Sequence, residues 1–195
     1  MPLGRAYSVA VNGLHGEIVE IEADITSGLP GVHLVGLPDA ALQESRDRVR
    51  SAITNSKSKW PMSRLTLALS PATLPKVGSV YDVALACAVL SAARKKSWPR
   101  LEKSVLLGEL ALDGRVRPVR GVLPAVLAAQ REGWPTVVVP VENLPDEGPV
   151  AGPTLLVYDV PDTEPAPAPL TQPLEATPPA PPGTPTVTAS AKADA

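Results

Sequence analysis

The stretch Asp82 to Ala93 carries Val83, Ala84, Leu85, Ala86, Cys87, Ala88, Val89 and Leu90 in unbroken succession. A helix that is apolar on every side has no face to turn toward water, so other elements must enclose it. The chain around it therefore has to fold with a real interior. Proline limits how much of the chain takes part. Ten of the 24 prolines fall in the last 35 residues, 161–195, where Leu170, Leu174 and Val187 are the only large apolar side chains. Such a segment cannot bury enough surface to offset its ordering entropy, and it reads as a disordered Pro/Ala/Thr-rich spacer with partial polyproline character. About 160 residues remain, an ordinary size for one domain.

The elements around that helix can be read in order. Tyr7–Val11 alternates in polarity, and Asn12-Gly13 is a turn signal. Val19, Ile21, Ala23 and Ile25 alternate with Glu20, Glu22 and Asp24, the pattern of a half-buried strand with an acidic outer face. A loop and a short strand at Val32–Val35 follow. Asp39 suits the N-cap of a helix running to about Asn55, with Leu42, Val49 and Ile53 on one face and Glu44–Arg48 as an i,i+4 pair. Arg64–Ser70 reads as a strand with Leu65, Leu67 and Leu69 on one side. Val105–Leu112 and Arg115–Val119 flank Asp113-Gly114, a two-residue hairpin signal. Pro124 fits the first turn of a helix ending at Arg131, before Gly133. Thr136–Val139 and Thr154–Tyr158 complete the set. The order β-β-β-α-β-α-β-β-α-β-β predicts an α/β domain over 1–160, with a mixed sheet and packed helices.

Several function classes drop out. Cys87 is the only cysteine, and His15 and His33 are the only histidines, too few for a thiolate cluster or a histidine-built metal site. Both histidines read as surface or partly buried strand residues, and Cys87 as a buried small hydrophobe. No lysine follows a glycine, so the phosphate-cradling G-x-x-x-x-G-K-[ST] loop is absent. Gly28, Gly31 and Gly36 read as turn residues. No apolar run approaches the roughly 20 residues of a membrane span, and no secretory leader is evident, so a cytoplasmic protein is expected. Net charge is −2, with 17 basic and 16 acidic side chains over 1–160. Aromatic stacking of bases is poorly supplied, because Phe is absent.

Four blocks occur in sequence: Gly28-Leu-Pro-Gly-Val-His-Leu-Val-Gly-Leu-Pro-Asp39, Glu44-Ser-Arg-Asp-Arg-Val-Arg-Ser-Ala-Ile53, Leu69-Ser-Pro-Ala-Thr-Leu-Pro-Lys76 and Gly108-Glu-Leu-Ala-Leu-Asp-Gly-Arg-Val-Arg-Pro-Val119. Over about residues 1–140 the chain resembles the N-terminal domain of the YifB/ComM family of magnesium-chelatase-like AAA+ ATPases. Thr73 stands where members usually carry an acid. The domain resembles in turn the proteolytic domain of Lon, a two-layer ribosomal-S5-like α/β fold. This second likeness runs through Pro75–Gly78, Gly108-Glu109 and Val138–Pro140. Lon-type catalysis uses a serine deprotonated by a desolvated lysine. The matching positions here are Val80 and Leu123. Ser79 falls one residue short.

The resemblance implies an accessory domain associated with DNA processing and branch migration in natural transformation. Its AAA+ motor, with ATP and Mg, is absent from this chain, which reads as a truncated or split copy. The chain itself is expected to hold no cofactor and no catalytic residue. Expected partners are a separately encoded motor or a second copy. Two alternatives stay open. One is a divergent peptidase using Ser79. The other is direct DNA contact through Arg46, Arg48, Arg50, Lys57, Lys59 and Arg64, with Arg115, Arg117 and Arg120 on the hairpin; the same charges also suit a solvated face interleaved with Glu44 and Asp47.

Overall fold

In the computed structural model, residues 3–94, 98–143, 155–159 and 187–188 are described. The alternating N-terminal segment forms two long antiparallel strands, β1 (Leu3–Asn12) and β2 (His15–Thr26), joined at Gly13-Leu14. On β2, Val19, Ile21 and Ala23 are buried while Glu20, Glu22 and Asp24 stay half-exposed, as the alternation requires. β3 (Gly31–Val35) is a five-residue strand parallel to β4 (Arg64–Ser70), and β4 pairs antiparallel with β2. The helix α1 (Ala40–Asn55) lies between β3 and β4 in the chain, and α2 (Asp82–Arg94) follows β4. Then come β5 (Ser104–Leu106), the short antiparallel pair β6 (Glu109–Leu110) and β7 (Val116–Arg117), α3 (Val122–Arg131) and β8 (Thr136–Pro140). Two further strands are β9 (Leu155–Asp159) and β10 (Val187–Thr188).

One mixed sheet organises these elements, in the order β10-β9-β8-β5-β1-β2-β4-β3. β5 runs parallel to both β1 and β8, the arrangement expected when a helix connects two strands of one sheet. Side-chain alternation divides the interior in two. Ala6, Val19, Ile21, Leu65, Leu67 and Leu69 face α1 and α2 in the larger core. Val9, Val105, Val137 and Val139 face the other way, against Ala125, Val126 and Ala129 of α3. α3 packs on the other face of the sheet, against β2, β1 and β8. The all-round apolar character of α2 has its explanation here: the helix packs against β1, β2 and α1, with Ala84, Leu85, Ala88 and Val89 at 0–1% exposure.

Four details differ from the sequence reading. The segment Val105–Leu112 is not one strand. Leu107 N–H still donates to the Val138 carbonyl, but the chain then turns at Gly108 (φ +152°), whose N–H donates to the Val80 carbonyl. A Cβ on Gly108 would lie 2.7 Å from Val116 and 2.8 Å from Val83, so only glycine lets the chain leave the sheet there. The loop at Asp113-Gly114 spans three residues, not two. Ala111 N–H donates to the Arg115 carbonyl, Gly114 N–H returns to Ala111, and Gly114 takes φ +90°, the turn-plus-bulge form of hairpin. Cys87 is half-buried rather than buried, and desolvation pushes its thiol up to about 11. The spacer expected over 161–195 lies outside the described residues except at Val187–Thr188, which pairs antiparallel with β9.

Candidate functional site

The loops that precede α1 and α2 interlock. Asp39 caps α1: its Oδ1 accepts from Leu42 N–H at 2.7 Å, satisfying an end of the helix that has no intrahelical partner. Its Oδ2 accepts from Gly78 N–H at 3.1 Å, in the loop before α2. Backbone bonds run both ways between the loops, Asp39 N–H to the Lys76 carbonyl at 3.2 Å and Lys76 N–H to the Leu37 carbonyl at 3.4 Å. Lys76 is fully buried, and its Nζ donates to the Pro71 carbonyl. Burial pushes that amine below the ordinary lysine range. Tyr81 is 1% exposed, and desolvation raises its phenol to about 12.

The next residue, Asp82, opens α2 with no exposed surface. Its Oδ2 accepts from Arg48 Nε at 2.9 Å and from Leu110 N–H at 3.1 Å, and Oδ1 faces Arg48 Nη2 at 3.3 Å. The same Arg48 nitrogen donates to Ser45 Oγ at 2.7 Å. One ion pair thus ties α1, α2 and β6 together. Burial holds the Asp82 carboxyl above its usual range, and the hydrogen bonds from Arg48, Ser45 and Leu110 pull it back without overcoming that. Arg48 in turn is raised, chiefly by its bond to Asp82.

Val80 and Leu123, the positions that the resemblance to Lon would set at its dyad, carry no reactive group. Val80 is half-buried and packs against both cores. Leu123 sits in the first turn of α3, 47% exposed. Ser79 is half-buried and donates its hydroxyl to Glu109 Oε2. Lys76, three residues before it, is engaged by Pro71, so Ser79 has a carboxylate neighbour and no amine bonded to it. His15 and His33 are exposed on β2 and β3. Among the described residues no three His, Cys, Asp or Glu side chains gather as a metal would need, and no helix is long and apolar enough to cross a membrane.

The basic residues separate into two groups. Arg48 points inward to Asp82. Arg46, Arg50, Lys57, Lys59, Arg64, Arg115, Arg117 and Arg120 are all exposed. Arg46 pairs with Asp47 at 3.2 Å, Arg115 with Asp113 at 2.7 Å, and Arg117 approaches Glu109 at 3.9 Å. Asn55 Nδ2 donates to the Leu112 carbonyl at 2.7 Å, which sets the hairpin tip against the last turn of α1. The hairpin that carries Arg115 thereby meets the end of the helix that carries Arg50, although more than sixty residues separate the two in sequence. Arg64 opens β4 beside Gly31 of β3.

Comparison with known proteins places this geometry. The family described as subunit ChlI of Mg-chelatase matches residues 21–143, from the middle of β2 to the turn after β8. The chain belongs to this family. It is 79% identical over 152 residues to an uncharacterized protein of Mycobacterium tuberculosis, an alignment covering 78% of this chain and 30% of that protein. It is 43% identical over 131 residues to the competence protein ComM of Haemophilus influenzae, covering 67% of this chain and 26% of ComM. A Lon protease of Mycolicibacterium smegmatis is 33% identical over 164 residues, covering 80% of this chain and 21% of the protease. This ChlI-family chain thus spans under a third of the length of each of these relatives. Its likeness to YifB/ComM-type proteins and to Lon agrees with the four sequence blocks.

Sequence reasoning passed over Asp82 and Lys76. A signal was present for Asp82, a single charge opening an otherwise apolar helix. Nothing local marks Lys76 as buried, because the loop that covers it is set by Asp39, 37 positions earlier.

Proposed function

We propose that this chain is a noncatalytic accessory and assembly domain of a ComM/YifB-type ATPase of the Mg-chelatase family, acting in DNA processing in the cytoplasm. ATP and Mg would be handled by a motor outside these 195 residues, on the same polypeptide or another. The observation that carries the reading is the pair Val80 and Leu123. A Lon-like framework is kept, with its cores filled, while the two positions that would do chemistry hold side chains that cannot transfer a proton or attack a carbonyl. The likeness to a competence protein supports the DNA context. Sedimentation of the chain mixed with the motor portion of such an ATPase tests the proposal. Co-sedimentation is expected, with no ATP turnover by the chain alone. Separate sedimentation at all ratios would sink it.

A second reading has its own support. The bond from Asn55 to Leu112 sets the hairpin that carries Arg115 against the end of α1, just before Lys57, and phosphate groups could be met there. Binding of duplex DNA there should weaken steeply with salt, with a slope set by the number of phosphates neutralised. Binding that ignores salt, or no binding at low salt, removes this reading.

A further inference from the structure

We propose that the open edge of the sheet at β3 pairs antiparallel with the same edge of a second copy of this chain. β3 is the last strand on its side of the sheet among the described residues, so one row of its N–H and C=O groups has no strand beside it. Natural proteins blunt such edges with lysine, with proline inside the strand or with a bulge. β3 has none of these. Residues 29–38 read Leu-Pro-Gly-Val-His-Leu-Val-Gly-Leu-Pro with no Asp, Glu, Lys or Arg, and the pairing with β4 runs unbroken from Gly31–Arg64 to Val35–Ala68.

Both ends of this edge are apolar. Continuing the β3–β4 register past Gly31 sets Leu29 level with Met62, and they are 89% and 69% exposed. At the other end Leu37 and Val35 are 60% and 52% exposed, and the parallel Pro38–Lys76 bridge sets Val77, 66% exposed, level with Asp39 just beyond them. Together these five side chains, two at one end of the strand and three at the other, present roughly 600 Å² of surface. A standard interface needs about 800 Å² per partner, and the five-residue strand edge supplies much of the difference.

The area and the lack of charge favour an identical partner. A two-fold axis through His33 lays the Leu29/Met62 end of one copy on the Leu37/Val77 end of the other, so both apolar ends are covered at once. With no charge along the edge, identical copies do not repel. This deepens the assembly reading by naming a partner, and it can fail while association with a motor stands.

Sedimentation of the chain alone at micromolar concentrations provides the test. A dimer is expected. His33→Lys and His33→Glu each place like charges opposite one another across the axis and should yield monomers. Mixing the two variants should restore a heterodimer, because the opposed charges then attract. His33 is exposed, so near-ultraviolet circular dichroism should show both variants folded. An independent readout is His33→Cys, which should form a covalent dimer under a mild oxidant, since residues opposed in an antiparallel pair lie within disulfide reach. A parent that stays monomeric overturns the proposal. So does a dimer indifferent to both charge variants, or a mixture that stays monomeric.

Discussion

Removing either partner of the Arg48–Asp82 pair should destabilise the fold, and by unequal amounts. Asp82 has no exposed surface, and the Arg48 side chain keeps 22% of its own. In Arg48→Met the carboxylate loses two hydrogen bonds and has no path to water. Stranding a buried charge in this way costs about 3–5 kcal/mol. In Asp82→Asn the Leu110 N–H keeps an acceptor, and the freed guanidinium can extend along its stem into solvent, so the loss should be about 1–3 kcal/mol. A loss of about 3 kcal/mol lowers Tm by roughly 6–12 °C for a domain of this size. The penalty in Arg48→Met should also shrink on acidification. Burial already raises the Asp82 carboxyl in the folded state, and losing Arg48 raises it further. A raised folded-state pKa means that stability is fully present below the unfolded value, about 3.9, and is lost as pH rises through the folded one. Urea denaturation of both variants from pH 4 to pH 8 measures all of this. The reasoning fails if Asp82→Asn is the more damaging change, if both variants lie within about 0.5 kcal/mol of the parent, or if the Arg48→Met penalty does not fall with pH.

Three other outcomes are expected. Asp39→Ala removes the α1 cap and the bond to Gly78 together, and should cost about 1–2 kcal/mol by urea titration, with Asp39→Asn recovering part of it. Burial lowers the Lys76 amine in the folded state, so the parent should gain stability relative to Lys76→Met as pH rises from 7 toward the unfolded value, about 10.4; equal slopes would refute it. Ser79→Ala should leave any peptide-cleavage signal of the preparation unchanged, because the Ser79 hydroxyl is held by Glu109 rather than by an amine.

Much of the fold was legible because its elements obey simple periods. The two-residue alternation of β2, the Leu65, Leu67 and Leu69 face of β4, the Asp39 cap and the apolar α2 each follow from local chemistry. The break in Val105–Leu112 did not. It depends on Gly108 meeting Val80, Val83 and Val116, contacts made only once the chain is folded. The same limit governed the site. That Val80 and Leu123 lack reactive groups was readable from the sequence. The inward turn of Arg48, read as an exposed basic residue and as the partner of Glu44, was hidden, because its main partner Asp82 lies 34 positions away on another helix. The approach of the hairpin that carries Arg115 to the end of α1 was hidden for the same reason.

The central claim is that this domain assembles with an ATP-driven motor and performs no chemistry itself. Titrating the chain into the motor portion of a ComM/YifB-type ATPase while following the steady-state ATPase rate tests that claim most directly. The account predicts no turnover by the chain alone and a saturable change in the motor's rate as the chain is added. ATP hydrolysis or peptide cleavage by the isolated chain, or a motor rate unaffected at every ratio, would contradict it.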